Sequence, residues 1–313
     1  MHRAKEVTVL ALSRILVDVD ATADTHPALQ QAVGLAARCG ASLKLVDVVP
    51  EASTGAAESA DSAVEQEERL AHRRERLAAL AATVRDVPIT TEVLRGEPAT
   101  ALTQEVLHAQ HHLLMRSHGR GPGDEERPLG AVDLHLLREC PCSVWVVRKS
   151  TKQLRRILAA VHTTAGDTVE RGLNTTVLEL ALLLSHADDA HLTVLQTWTA
   201  FGESLLRSHG REEEVAGYTS AQRGLAEEAL SAFMASFDES VRALDTVLLE
   251  GEPWDVIPEF VASHGIDVVV MGTVARTGLS GLVVGNTAER VLERLQGSVV
   301  AVKPPGFESP VRP

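Results

Sequence analysis

The 313-residue sequence predicts an α/β protein of two tandem open sheets, each of about five mainly parallel strands with helices on both faces. Three observations carry that expectation. Short β-branched or wholly apolar runs alternate with longer segments of helical period, as successive strand–helix–strand crossovers require. The order of these segments then recurs in the second half of the chain, and internal repetition decides the architecture before any local signal does. Composition agrees: 44% of residues are hydrophobic but only 3% aromatic, and Ala, Leu and Val dominate, which suits parallel strands covered by Ala/Leu-rich helices.

The elements follow in order. Ile15-Leu16-Val17-Asp18-Val19 is a first strand and returns, 142 residues on, as Ile157-Leu158-Ala159-Ala160-Val161. Gly96-Glu97-Pro98 returns as Gly251-Glu252-Pro253, Leu113-Leu114-Met115 as Val269-Val270-Met271, and Ser143–Val147 as Ser298–Val302, each 155 or 156 residues on. The second copy therefore carries extra length, between Thr163 and Ala243. Helices are expected over His26–Cys39, ending at Gly40, and over Val169–His186. Second strands, Ser42–Val49 and His191–Thr197, lead into amphipathic helices near Ala60–Val84 and Arg211–Phe237. Third strands are expected at Ile89–Leu94 and Val241–Leu249. Each Gly-Glu-Pro opens a helix, with proline suited to the first turn. A continuous apolar strand such as Asp267–Met271 follows, buried on both faces, then a Gly-rich loop, a helix and a last strand. A linker near Lys149–Gln153 divides the chain into domains 1–150 and 151–313.

Charge narrows the partners. Formal net charge is −13, with 17 basic against 21 acidic residues up to Ser150 and 13 against 22 beyond it. Neither half has the basic excess that a nucleic-acid backbone or an anionic membrane would require. No apolar stretch has transmembrane length and the N-terminus has no signal-peptide pattern, so a cytoplasmic location is expected. The three cysteines, Cys39, Cys140 and Cys142, are odd in number and form no C-x-x-C, which fits reduced thiols. Cys140-Pro141-Cys142 reads as a buried structural bend.

The richest local signal is Met271-Gly272-Thr273-Val274-Ala275-Arg276-Thr277-Gly278, continuing to Val284-Gly285-Asn286-Thr287-Ala288-Glu289. It runs from the end of a buried strand to the start of a helix, where open α/β sheets bind ligands. Glycine lets backbone amides approach an anion, and the helix N-terminus adds partial positive charge. Asn286 or Thr287 is expected to be the N-cap, and Arg276 is the nearby cation.

These residues resemble the last-loop motif of the universal stress proteins: G-x-x-G, nine residues, then G followed by Ser, Thr or Asn. Gly272, Gly285 and Asn286 match in spacing, while Ala275 departs at the second glycine. The resemblance spans the chain, and the segments Asp133–Pro141 and Gly272–Glu289 look most like the E-type tandem branch. It implies two Rossmann-like domains of the adenine nucleotide alpha hydrolase type. It also implies ATP or a related adenine nucleotide as ligand in the second domain. Carried over by position, the strand ends contribute His162, Thr197, Met271 and Gly272. The loop and helix start contribute Arg276, Gly285, Asn286 and Thr287. His162 stands where family members usually have Asp.

In the first repeat Asp20 keeps the family's acidic residue, but the loop Met115-Arg116-Ser117-His118-Gly119 to Gly130-Ala131 reads differently. Aligned on its methionine, it places Arg116 at the first glycine with a spacing one residue too long. Asp124-Glu125-Glu126 adds negative charge where phosphates would lie. This repeat is expected not to bind ATP in the family manner. Among His108, His111, His112, His118 and His135 no pair has an established zinc spacing, and His118 beside Asp20 is the first place to look for a metal. G-x-S-x-G and G-x-x-x-x-G-K-[ST] are both absent, so no catalytic residue is assigned. The expected function is a stress protein that binds a nucleotide as a signal. Its repeats would pair through their last-strand edges as an intramolecular pseudo-dimer, with a homodimer of whole chains left open. Two alternatives stand beside it: a scaffold or binder of an apolar ligand, and a weak ATPase.

Overall fold

A computed structural model describes residues 12–51, 60–119, 127–148, 153–164, 167–200, 212–273 and 285–312. The linker at 149–152 lies outside them. Ten strands and nine helices are present among the described residues. They fall into two compact units, taken here one at a time.

The first unit holds β1 (Arg14–Asp18), α1 (Pro27–Cys39), β2 (Ser42–Val49), α2 (Ala60–Ala82), β3 (Ile89–Arg95), α3 (Pro98–Ala109), β4 (Leu113–Ser117), α4 (Ala131–Glu139) and β5 (Ser143–Val147). Its order is β3-β2-β1-β4-β5, all parallel. Right-handed crossovers put α1 and α2 on one face and α3 and α4 on the other. The central strands β1 and β4 carry the core: Ile15, Leu16, Val17, Leu113, Leu114 and Met115 are fully enclosed, while the edge strand β3 has no buried residue. β10 (Ser298–Val302), the last strand of the second repeat, belongs to this unit and pairs antiparallel with β5, Val300 opposite Trp145.

The second unit holds β6 (Arg156–Val161), α5 (Thr168–Asp188), β7 (His191–Trp198), α6 (Glu212–Met234), a short α7 (Glu239–Arg242), β8 (Asp245–Glu250), α8 (Pro253–His264), β9 (Val268–Gly272) and α9 (Asn286–Arg294). Its order is β9-β6-β7-β8, again parallel. The extra length of this repeat goes partly into α5, 21 residues against 13 in α1.

One strand expectation needs correction. Val241 does not begin the third strand of the second repeat. Asp238 caps α7 there by accepting the Val241 amide at 3.1 Å, and Val241 is buried in that turn. The β8 strand starts four residues later, because an Asp three residues ahead of a free amide favours a cap over an extended chain. The Gly-Glu-Pro turns are as expected. Gly96 and Gly251 sit at φ 127° and 133°, and their amides bond the carbonyls of Val49 and Trp198.

Candidate functional site

In the second unit the chain leaves β6 for β7 and β8 and then returns to the other side of β6 at β9. That reversal leaves a crevice outside the carboxyl ends of β6 and β9, since the flanking helices depart to opposite faces. Ala160 pairs with Met271 and Val161 with Gln196. His162 therefore lies level with Thr197 on one side and Thr273 on the other. The amide of Gly285 donates to the carbonyl of Thr273 at 3.1 Å, which brings the start of α9 onto the end of β9.

The sequence-selected residues thus converge, with different exposures. Met271 and Thr197 are buried, whereas Asn286 and Thr287 are exposed. Arg276 and Ala275 lie outside the described residues. The N-cap is neither Asn286 nor Thr287 but Gly285, at φ −64° and ψ 134°. Its tie to Thr273 already fixes the turn, so Asn286 becomes the first helical residue. Glycine has no side chain to cap with, so among the described residues the amides of the first turn have no N-cap side-chain oxygen. At α5 the opposite holds: Asp167 accepts the amides of Val169 and Glu170 at 3.0 Å each.

Gly272 has a packing reason to be glycine. A Cβ there would lie 2.6 Å from Cδ2 of Leu173 on α5. Helix and strand approach closely because nothing stands between them.

Two polar residues missed in the sequence hold the end of β6. Asn174, buried on α5, accepts the His162 amide at 3.1 Å and donates to the His162 carbonyl at 2.6 Å. Gln196, buried on β7, accepts both the amide and the hydroxyl of Thr163, at 3.1 and 2.7 Å. A polar side chain within an apolar helix face or strand was the available signal, since buried polar groups find partners. With its backbone clamped, His162 turns its ring outward, 3.6 Å from Glu170, which also accepts the Thr164 hydroxyl at 2.5 Å.

The first unit shows what fills the corresponding corner. Asp18 pairs with Arg116 across β1 and β4, as Ala160 does with Met271. Arg116 therefore corresponds to Met271, and Ser117, not Arg116, takes the place of Gly272. From Gly96 onward the offset is 155 residues, so the loop to Gly130 is no longer than the loop to Gly285. The shared methionines suggested a register one residue out. Ser117 tolerates a Cβ here and accepts the Ala28 amide at 3.0 Å. His118 turns not to Asp20 but to Asp133, 2.9 Å away, with its other nitrogen 3.1 Å from the Arg127 carbonyl. Asp133 also accepts the Gly130 amide at 3.1 Å and lies 2.9 Å from Arg116 Nε, in charge contact but out of hydrogen-bond alignment. Burial opposes ionisation of Asp133. The His118 bond, the Arg116 charge and the Gly130 amide outweigh it and hold the carboxyl below its usual range. A protein carboxylate thus accepts the N-cap amide of α4, whereas the matching Gly285 amide of the second repeat is held by the Thr273 carbonyl. Asp124-Glu125-Glu126 lies outside the described residues.

This pair of crevices on duplicated sheets has relatives. Residues 12–148 and 154–303 each match the universal stress protein family. The chain belongs to that family. Two curated relatives are named universal stress protein E. The Salmonella typhi protein is 29% identical over 318 residues, covering 95% of this chain and 96% of its own. The Escherichia coli K12 protein is 28% identical over 316 residues with the same coverage. A crystal structure of a functionally unknown Pseudomonas aeruginosa PAO1 protein is similar over 96% of this chain and 95% of its own, with 25% identity and TM-score 0.67. A universal stress protein from Archaeoglobus fulgidus shares the fold at 14% identity, TM-score 0.60, over 93% of this chain and 98% of its own. In this universal stress protein no helix among the described residues is long and apolar enough to cross a membrane.

Proposed function

We propose that the second repeat of this universal stress protein binds ATP or a related adenine nucleotide as a regulatory ligand. The observation that carries the proposal is the corner at the β6/β9 switch point, where Gly285 joins β9 to a helix start with no capping side chain. The β- and γ-phosphates would meet the amides of Asn286 and Thr287, with the sugar and base over His162 and Thr197. In the first repeat the buried Asp133 carboxylate lies at the start of α4 and would repel a phosphate there, which supports a single nucleotide per chain. With no lysine-bearing phosphate loop in the sequence, the ligand acts as a signal and is not consumed in rapid turnover. The domains 1–150 and 151–313 then divide the work between a non-binding and a binding repeat, in the cytoplasm.

Gly285→Val tests the reading. The backbone at Gly285 is in a region open to any residue, so valine adds bulk without strain. Calorimetric titration with ATP should show binding to the parent protein and at least about a tenfold loss in the variant, from about 1.4 kcal/mol of steric and desolvation cost. Equal affinity in both would end the assignment. Native mass spectrometry of gently purified protein adds an independent check: a retained adenine nucleotide supports the reading, and a lipid-like adduct replaces it with an apolar-ligand function.

A further inference from the structure

The bend between α4 and β5 carries two thiols that its geometry does not require. Cys140 is the C-cap of α4 and fully buried, and Cys142 is half-buried. Their Sγ atoms are 3.6 Å apart, joined through Pro141, whose ring restricts the bend. By the 155-residue offset the same bend in the second repeat is made by Leu295 and Gly297, so sulfur is not needed to form it. A buried cation stands beside the pair. Lys303 follows β10, is only 6% exposed, and donates to the carbonyls of Leu137 and Arg138 at the end of α4. We propose that Cys140 and Cys142 form a dithiol oxidation site that closes to an intrachain disulfide when it meets a hydroperoxide.

The charges favour this chemistry. Burial opposes ionisation of Cys140, but the Cys142 thiol and amide and the Lys303 charge outweigh it and hold that thiol below its ordinary range. Burial, and then its neighbour's sulfur, push Cys142 well above. The first proton is therefore lost from Cys140, and the one that remains can pass between the adjacent sulfurs. In the first step the half-buried Cys142 sulfur, having passed its proton to Cys140, attacks the peroxide oxygen. The O–O bond breaks, the leaving oxygen takes a proton from water and departs as an alcohol or as water, and Cys142 becomes a sulfenic acid. In the second step Cys140 sulfur attacks Cys142 sulfur, the S–O bond breaks, and the departing hydroxide takes the Cys140 proton to leave as water. Two thiols lose two electrons and one hydroperoxide gains them. Thiol reductants reverse the closure by exchange.

Trypsin cuts after Arg138 and Arg148, so one peptide, residues 139–148, holds both cysteines. Full-length reduced protein is treated with hydrogen peroxide, quenched, alkylated with iodoacetamide and digested. Closure predicts a peptide lighter by two hydrogens and untagged, restored to two tags by dithiothreitol, while the Cys39 peptide keeps its tag throughout. Two tags after oxidation, or a crosslink through Cys39, would overturn the site. Lys303→Met should slow closure about three- to tenfold and Lys303→Arg should restore it. If Lys303→Met does not fold, Cys140→Ser serves instead: it should stop at a sulfenic acid trapped by dimedone on Cys142, and an unreacted Cys142 thiol would sink the proposal.

Discussion

In the first repeat the amide of Ala21, just past β1, is held by a carboxylate, Asp47, at 3.4 Å. In the second the corresponding amide, that of Thr163, is held by a carboxamide, Gln196, at 3.1 Å. One atom type separates the two arrangements, and its consequences spread. Asp47 is 2% exposed and needs a counter-charge, which Arg73 supplies from α2 at 2.6 and 2.8 Å. Arg73 also reaches Asp20 at 3.7 Å, while Arg76 bonds the Ala21 carbonyl at 2.6 Å. The long helix is thereby tied over the strand ends. Gln196 is neutral and requires no such tie. The same division recurs at the crossover to α4 or α9, where the Asp133 carboxylate holds the Gly130 amide and the neutral Thr273 carbonyl holds the Gly285 amide. Carboxylates hold these backbone groups in the first repeat, and neutral oxygens hold their counterparts in the second.

The largest effect should come from breaking the tie. Arg73→Met strands a buried carboxylate and should cost about 3–5 kcal/mol in urea unfolding. Burial already raises the Asp47 carboxyl above its ordinary range, against the Arg73 bond and charge. The folded state therefore holds that proton more tightly than the unfolded chain, so the deficit should shrink as pH falls toward about 4. Adding Asp47→Gln, which copies the second repeat, should recover most of the loss. A double variant as unstable as Arg73→Met would show that the two crevices differ by more than this charge.

Gly272 offers the next test, because the same residue serves packing and, in the proposed function, ligand approach. Gly272→Ala should destabilise by about 1–3 kcal/mol, since Leu173 must move. Leu173→Ala in the same chain should restore part of that stability without restoring nucleotide affinity. If Gly272→Ala unfolds normally and only binding is lost, close packing is not what selects glycine here.

A smaller change is expected at the closed helix start. Asp133→Asn keeps the shape but removes the charge that accepts the Gly130 amide, a loss of about 1 kcal/mol. Because the Asp133 carboxyl is held below its usual range, its stabilisation is present above about pH 4 and fades as pH falls through the lowered value. The variant should therefore show a flatter acid limb. An unchanged limb would mean that Asp133 and its His118 and Arg116 partners contribute no net stability.

The sequence reveals the architecture because each strand and helix carries its period in many residues at once. The 155-residue repeat, the Gly-Glu-Pro turns and the apolar fourth strands are all redundant signals. Register is not redundant. A one-residue slip between Leu113-Leu114-Met115 and Val269-Val270-Met271 leaves the apolar pattern intact and yet moves Arg116 onto the wrong glycine. Asn174 and Gln196 were hidden for a related reason: each is a single polar residue whose partner is a backbone group on another element. The convergence of His162, Thr197, Gly272 and Gly285 was legible, because strand ends meet wherever the topology puts them.

The last comparison is between the cations that follow the final strands, Arg148 and Lys303, which are related by the same 155-residue offset. Both are buried, and burial lowers both. Arginine stays charged regardless, and Arg148 bonds the Arg127 carbonyl at 2.7 Å. Lysine does not: burial brings Lys303 from 10.5 to about 8, against the raising influence of Cys140, Cys142 and Glu139. Between those two values the unfolded chain holds a proton that the folded chain has released, so this group makes stability rise with pH across that window. Below about 8 both states are protonated and the contribution is constant. Lys303→Arg keeps the cation over α4 and removes its titration, so chemical unfolding of the reduced protein should lose that alkaline rise. A variant whose stability tracks the parent across the window would place the titration on the two thiols instead, and the asymmetry between Arg148 and Lys303 would be one of shape alone.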